Sequence, residues 1–199
     1  LPPELLPDIL ALIDDEKVGR LIVRADPDDA VTFIDSLPDE RRERVLALLD
    51  PERQAAVREI INYPEGTVGR IMTTDFMALA PDTTAQGAID KIRERGELEA
   101  FFYLYVVDDA GQLVGVVPIR NLVIAPPNRR LSDMMIADPV KANVFTDQEE
   151  AARLVSRYEL LALPIVDEAG RLEGIITVDD VIDIINEEST EDMYKMAGL

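Results

Sequence analysis

The chain has 199 residues, 47% of them hydrophobic, and carries 40 Asp and Glu against 20 Lys and Arg. This composition supports one or two folded domains. The formal charge of −20 disfavours nucleic acids and anionic lipid surfaces and favours cations as partners. Without Cys or His, the chain lacks imidazole chemistry and the soft ligands of zinc or copper sites, so oxygen-ligand metals are the easiest to accommodate.

Residues 1–62 have the pattern of short helices. Their apolar residues recur at spacings of three and four: Leu5, Ile9, Leu12 and Ile13, then Val45, Leu46, Leu48 and Leu49. Asp26-Pro27 and Asp50-Pro51 each place an N-cap acceptor before a proline with helical φ, which predicts two helix starts. We expect a small all-α bundle or helical-repeat array that ends near residues 62–64.

A repeat begins after residue 66 and determines the predicted fold. The letters VVDDAGQLVGVV at 106–117 match IVDEAGRLEGII at 165–176 with an offset of 59 residues. Each copy predicts a hairpin of strand, Asp-x-x-Gly turn and strand. A helix should follow each hairpin, at 120–124 and 178–188.

The openings of the two copies match with a different offset. Met72 and Asp75 correspond to Met135 and Asp138, an offset of 63, so the first copy has four extra residues in or near 95–100. One strand-helix-strand-strand-helix unit is too small to cover its sheet comfortably. We therefore predict an α+β fold in which two such units pack as a pseudo-twofold pair after the helical domain.

The Met-Thr-like opening, the Val-Asp-x-x-Gly hairpin and the closing Thr-x-x-Asp together resemble a tandem pair of CBS domains. In that family the segment corresponding to 174–181 contacts nucleotides, which implies Thr177 for phosphate and Asp180 for ribose, with ATP as the possible ligand. The residues themselves leave another interpretation open, because a Thr and an Asp before an apolar helix are also ordinary N-cap chemistry.

A narrower resemblance covers nearly the whole chain. The acidic helical region with Pro27-Asp28-Asp29, the link YPEGTVGRIM at 63–72 and the ending EDMYKMAG at 191–198 resemble MgtE magnesium transporters. The resemblance implies a clipped helical domain at 1–62, CBS domains at 63–127 and 128–188, and a connection at 189–199 towards a transmembrane pore. It also implies a homodimer at the cytoplasmic side of the membrane.

Carried over residue by residue, the resemblance implies a set of acidic Mg²⁺ ligands between the helical domain and the CBS pair and between subunits. The implied residues are Asp28, Asp147, Glu149, Glu159, Asp180, Asp183, Glu188, Glu191 and Asp192. Two departures stand out. Thr32 lies where a second acidic residue is expected one turn after Asp28, and Pro118 and Asn121 of the first copy replace Thr177 and Asp180 of the second.

The last helix also has an acidic pattern of its own, independent of any resemblance. At 100° per residue, Asp180, Asp183, Glu187 and Glu191 form one stripe without an intervening Lys or Arg. Like charges at i,i+4 cost about 0.2–0.5 kcal/mol per pair, which favours bound cations over a solvated face. Asp28, in contrast, lies in the first turn of a predicted helix, where the helix dipole alone can explain a carboxylate.

We expect a Mg²⁺ sensor that gates a magnesium transporter or channel. Mg²⁺ needs only one or two carboxylates per site, whereas Ca²⁺ prefers a dedicated loop that this sequence lacks. The principal alternative is a CBS pair that binds an adenine nucleotide. We do not expect an enzyme, since there is no His, Cys or phosphate-binding loop, although carboxylate pairs alone stay possible.

Overall fold

A computed structural model describes residues 5–25, 27–96 and 102–185, apart from the side chains of residues 27, 28 and 52. It has an all-α region followed by two mixed sheets with flanking helices, so the predicted α+β fold is confirmed. The described part contains no helix that is both long and apolar enough to cross a bilayer.

The helical region comprises α1 (Leu6–Ala11), α2 (Asp15–Arg24), α3 (Pro27–Asp35), α4 (Asp39–Leu46) and α5 (Pro51–Ile61). Asp50 accepts a hydrogen bond from the backbone N–H of Arg53, which confirms the helix start predicted at Asp50-Pro51. Helix α3 begins at Pro27, but Asp26 lies outside the described residues. The end of α5 at Ile61 agrees with the predicted end of the helical region.

The core of the helical region uses a different face of α1 from the one that the apolar spacing suggests. Leu6 and Leu10 are buried, whereas Leu5, Ile9 and Leu12 are exposed. The N–H groups of the Arg41 guanidinium donate to the carbonyls of Leu10 and Ile13, where α1 ends. This contact from α4 holds the end of α1 against the core cluster around Ile22, Ile34 and Ile60.

The first repeat contains β1 (Ala78–Leu79), α7 (Ala85–Arg95), β2 (Tyr103–Val107), β3 (Leu113–Pro118) and α8 (Ile119–Ile124). The second contains β4 (Ile136–Ala137), β5 (Ala142–Asn143), α9 (Gln148–Tyr158), β6 (Ala162–Val166), β7 (Leu172–Thr177) and α10, described over residues 178–185. The predicted hairpins are confirmed as β2–β3 and β6–β7. The loop from α7 to β2 is four residues longer than the loop from α9 to β6, as predicted.

The two repeats exchange their opening segments. Strand β4 of the second repeat pairs with β3 of the first, in a sheet of order β1-β2-β3-β4. Conversely, Thr73 bridges Ile175 of the β5-β6-β7 sheet through hydrogen bonds of 2.9 and 3.0 Å. Each sheet is therefore completed by a segment that precedes the other repeat.

The hairpin tips also meet across the pseudo-twofold axis. The N–H of Leu113 donates to the carbonyl of Gly170 at 3.0 Å, and that of Leu172 donates to the carbonyl of Gly111 at 3.1 Å. Both glycines have φ near +80°, as the Asp-x-x-Gly turn requires. A buried cluster around Tyr105, Val116 and Ile175 fills the seam between the sheets.

Candidate metal and nucleotide sites

The helical region is joined to the second repeat through the short helix α6 (Val68–Ile71). Backbone N–H groups of Val68 and Gly69 donate to the carbonyls of Thr146 and Val144, both at 2.9 Å. A Cβ at Gly69 would lie 2.6 Å from the Tyr63 ring and 2.8 Å from the Val144 carbonyl. The link therefore requires glycine and packs directly on the loop before α9.

Carboxylates from both sides face this joint. Burial raises the pKa of Glu173 on β7, and the negative charges of Asp167 and then Glu59, on α5, raise it further, while Arg171 opposes the shift. The pKa of Tyr63 is also raised, by burial and then by Glu173, Glu59 and Asp167. Like charges of the helical region and the second repeat thus act on one another at the joint.

No local sequence pattern marks Glu59 and Glu173 as candidate residues. Glu173 occupies a variable position of the hairpin motif, and Glu59 is one of many acidic helix residues. Their relation depends on how the two domains pack, and both carboxylates raise the pKa of Tyr63 between them in the chain.

Asp147 and Glu149 lie beside the same joint, at the start of α9. The backbone of Asp147 forms an isolated antiparallel β-bridge with Thr67 of the link. Its side chain caps α9 by accepting hydrogen bonds from the N–H groups of Glu149 and Glu150. Glu149 pairs with Arg153 at 2.6 Å. Both carboxylates thus have structural roles in the described state. A metal ion would have to compete with these hydrogen bonds and this ion pair, or bind carboxylate lone pairs that they do not use.

Thr177 and Asp180 are brought together at the start of α10. The Thr177 hydroxyl donates to Asp180 Oδ2 at 2.6 Å, and its backbone N–H donates to the same oxygen at 2.9 Å. Burial raises the pKa of Asp180 despite these bonds, and the nearby charges of Asp179 and Asp183 add to the rise. The carboxylate reaching back to the N-cap N–H is half of a capping box, so the capping interpretation is supported by geometry.

The other predicted ligands are spread out or lie beyond the described part. Asp183 is exposed on α10, and Glu159 is exposed at the left-handed end of α9, with φ 51°. The Asp28 side chain lies outside the described residues, as do Glu188, Glu191 and Asp192. Within residues 5–25, 27–96 and 102–185, no three carboxylates are grouped closely enough to hold a metal ion.

The first repeat has no equivalent of this capping pair. Pro118 precedes α8 and has no N–H to donate, and Asn121 carries an amide where the second repeat has the carboxylate of Asp180. A polar site like that of Thr177 and Asp180 is thus restricted to the second repeat.

Both regions of the chain match known protein families. Residues 1–66 match the model of the MgtE intracellular N domain, and residues 68–128 and 131–187 match the CBS domain. The magnesium transporter MgtE of Thermus thermophilus is 39% identical over 79% of this chain and 35% of its own length. That of Bacillus subtilis is 34% identical over 96% of this chain and 42% of its own length. The chain thus spans well under half of these relatives.

A solved structure extends the likeness to three dimensions. The crystal structure of the cytosolic domain of the Mg²⁺ channel MgtE in complex with ATP superposes with a TM-score of 0.87 at 34% identity. The match covers 92% of this chain and 76% of that one. The helical region and both repeats are therefore shared with that domain.

Proposed function

We propose that this chain senses Mg²⁺ and gates a magnesium transporter or channel. The premise is that the chain belongs to the CBS-domain family and carries an MgtE intracellular N domain ahead of its CBS pair. The observation that carries the proposal is the direct packing of the link after the acidic helical domain on the second CBS domain, where the N–H groups of Val68 and Gly69 donate to the carbonyls of Thr146 and Val144. Glu59 of the helical domain and Asp167 of the second CBS domain both raise the pKa of Glu173.

Repulsion at this joint supplies the two states that a switch needs. When Mg²⁺ is scarce, acidic faces repel and the helical domain moves away from the CBS pair. When Mg²⁺ rises, bound ions bridge the faces and stabilise the compact state, because a ligand shifts an equilibrium only by its difference in affinity for the two states. The compact state closes the pore of the full-length protein.

Mg²⁺ suits these surfaces better than Ca²⁺ does. It is a hard ion that keeps several waters, so one or two carboxylates per site are enough. The proposed ligands remain those implied by the sequence: Asp28, Asp147, Glu149, Glu159, Asp180, Asp183, Glu188, Glu191 and Asp192. Several weak sites acting together make the response steep, which fits an ion present at millimolar levels.

Small-angle scattering across a Mg²⁺ titration tests this function, with Na⁺ at matched ionic strength as the reference. We expect Mg²⁺ to shrink the radius of gyration and Na⁺ to leave it larger, because bridging requires a divalent ion whereas screening does not. Equal shrinkage in both salts would contradict the proposal.

A pair of variants matched in charge separates specific ligands from net charge. Asp180→Asn, Asp183→Asn, Glu191→Gln and Asp192→Asn together remove four charges from the proposed face and should abolish the Mg²⁺ response. The control also removes four charges, from exposed positions that are not among the proposed ligands: Asp82→Asn, Glu94→Gln, Asp109→Asn and Asp133→Asn. It should respond to Mg²⁺ like the original chain.

The proposed assembly is a homodimer on the cytoplasmic side of the membrane, coupled to the transmembrane pore domain of the same protein. Apolar side chains on the last helix of each repeat support a subunit contact, since Val123, Ile124 and Ile182 are 68, 82 and 54% exposed. Sedimentation velocity should show a dimer, and Ile124→Glu should shift it towards the monomer. A monomer at all concentrations would contradict the assembly.

An adenine nucleotide at the second CBS domain is the second candidate function. It is favoured by the ATP complex of the structurally similar MgtE domain and by the polar pair Thr177 and Asp180. Equilibrium dialysis with ATP, in the presence and absence of Mg²⁺, separates the two functions. Nucleotide binding without Mg²⁺-dependent compaction would favour this second candidate.

A further inference from the structure

Helix α6 is fixed to the second CBS domain, yet one of its side chains reaches the helical domain. Val68 and Met72 are buried in the second-domain core with Leu163 and Ile176. Arg70, in contrast, places its guanidinium against α3 and the end of α5, and its side chain is only 10% exposed. This residue therefore connects two bodies that the proposed switch moves apart.

The contacts of Arg70 use both ends of its planar fork. Nη2 donates to Asp35 Oδ2 at 2.6 Å, and Nη1 donates to the carbonyls of Ile61 and Tyr63. An Arg fork held by a carboxylate and by two helix-end carbonyls fixes orientation as well as distance. Removing either charge leaves the other one partly buried and unpaired, which is costly.

The position of Asp35 on α3 links this contact to the proposed metal ligand Asp28. The two residues are seven apart, so their Cα atoms lie about two turns apart on the same side of the helix. A contact that holds Asp35 against α6 consequently sets the rotation of α3 and the side of it that approaches the second CBS domain.

We infer that Arg70 is a positioning residue of the switch: by pairing with Asp35 it holds α3, and with it Asp28, in the orientation that lets Mg²⁺ bridge the two domains. This inference rests on the proposed function. Arg70 contacts no ion itself and acts by lowering the Mg²⁺ concentration needed for compaction. It attracts across a joint where Glu59 and Glu173 repel.

The test compares Arg70→Gln with Arg58→Gln in the same Mg²⁺ scattering titration. Arg58 pairs with Glu43 at 2.9 Å inside the helical domain and therefore provides a matched control. We expect Arg70→Gln to raise the midpoint about tenfold, equivalent to about 1.4 kcal/mol, and Arg58→Gln to leave it within twofold. Asp35→Asn should act like Arg70→Gln, and the double variant should add little.

A conservative variant separates positioning from simple loss of fold. Arg70→Lys keeps the charge but loses the fork, so it should restore part of the midpoint shift, with circular dichroism showing that both variants are folded. Equal midpoints for Arg70→Gln and the original chain, or equal shifts for Arg70→Gln and Arg58→Gln, would overturn the inference.

Failure of the proposed function itself would look different, because the original chain would then show no Mg²⁺ compaction. Amide hydrogen exchange of α3 in EDTA decides the inference in that case. Faster exchange in Arg70→Gln than in Arg58→Gln supports Arg70 as the residue that holds α3, and equal exchange overturns it.

Discussion

The two CBS domains of this chain share their hairpins but differ at the helix that follows. In the second domain Thr177 and Asp180 form a hydrogen-bonded pair at the start of α10. In the first domain Pro118 and Asn121 stand in their place, yet α8 begins at Ile119 all the same. The start of this helix therefore does not require the cap.

What the domains cannot dispense with is the exchange of their openings. Met72 packs against Gly174 of the second sheet, and Met135 packs against Gly115 of the first. The glycines make room for the exchanged methionines, so each domain packs a side chain from the segment that precedes the other.

The largest effect is expected at Gly174. A Cβ there would lie 2.7 Å from Met72 Sδ and 2.9 Å from the Thr73 carbonyl, and Met72 is only 2% exposed. At Gly115 the close atoms all belong to the half-buried Met135 side chain, which can move. Urea unfolding should give losses of about 3 kcal/mol for Gly174→Ala and about 1 kcal/mol for Gly115→Ala.

A second substitution checks the cause. Met72→Ala in the Gly174→Ala background should cost less than the two single changes predict together, because the clash is gone. Equal losses at the two glycines, or strict additivity with Met72→Ala, would show that the exchanged methionines do not determine the packing.

The cap pair should produce an intermediate effect. Thr177→Val keeps the shape of a buried residue but removes the hydroxyl that bonds Asp180, so the free energy of unfolding should fall by about 1 kcal/mol. Asn121→Ala at the equivalent face of the first domain should change it by less than about 0.5 kcal/mol. Thermal unfolding measures both, and a larger loss in the first domain would contradict the asymmetry.

The smallest effect concerns Glu173, whose counterpart in the first hairpin is Val114. Because its folded-state pKa lies above the ordinary value of 4.5, its contribution to stability is present below that pH and is lost as the pH rises through the raised value. Glu173→Gln should therefore stabilise the chain at pH 7, by at most about 0.5 kcal/mol because solvent screens a partly exposed group, and by nearly nothing in acid.

Urea unfolding at pH 4 and pH 7 measures this difference, and Glu168→Gln in the turn of the same hairpin, exposed to solvent, is its control. The control should show no such pH dependence. A gap between Glu173→Gln and the original chain that widens in acid would have the wrong sign and would refute the assigned cause.

Local signals predicted most of the architecture. In the Asp-x-x-Gly turns of both hairpins, the carboxylates of Asp108 and Asp167 accept hydrogen bonds from backbone N–H groups four residues later. Each turn is therefore determined by residues that are close together in the sequence. The exchange of the opening segments between the two repeats was not predicted. The Thr73–Ile175 pairing joins residues about a hundred positions apart and leaves no local pattern.

The candidate site was predicted less completely, for the same reason. The pairing of Thr177 with Asp180 lies within one helix turn, and capping is one of the two interpretations that the sequence leaves open for it. Two other interactions depend on the packing of the helical domain against the second CBS domain: the repulsion between Glu59 and Glu173, and the ion pair of Arg70 with Asp35. The periodicity of one sequence does not encode that packing. The roles of the predicted Mg²⁺ ligands stay predictions.

The most direct test measures the distance between the helical domain and the second CBS domain as Mg²⁺ is added. The chain has no Cys, so Ala11→Cys on α1 and Ser156→Cys on α9, both exposed, can carry a pair of spin labels without interference. The account predicts a broad, long distance distribution in EDTA that becomes short and narrow in Mg²⁺ but not in Na⁺ of equal ionic strength. A distribution that is the same in all three solutions would contradict it.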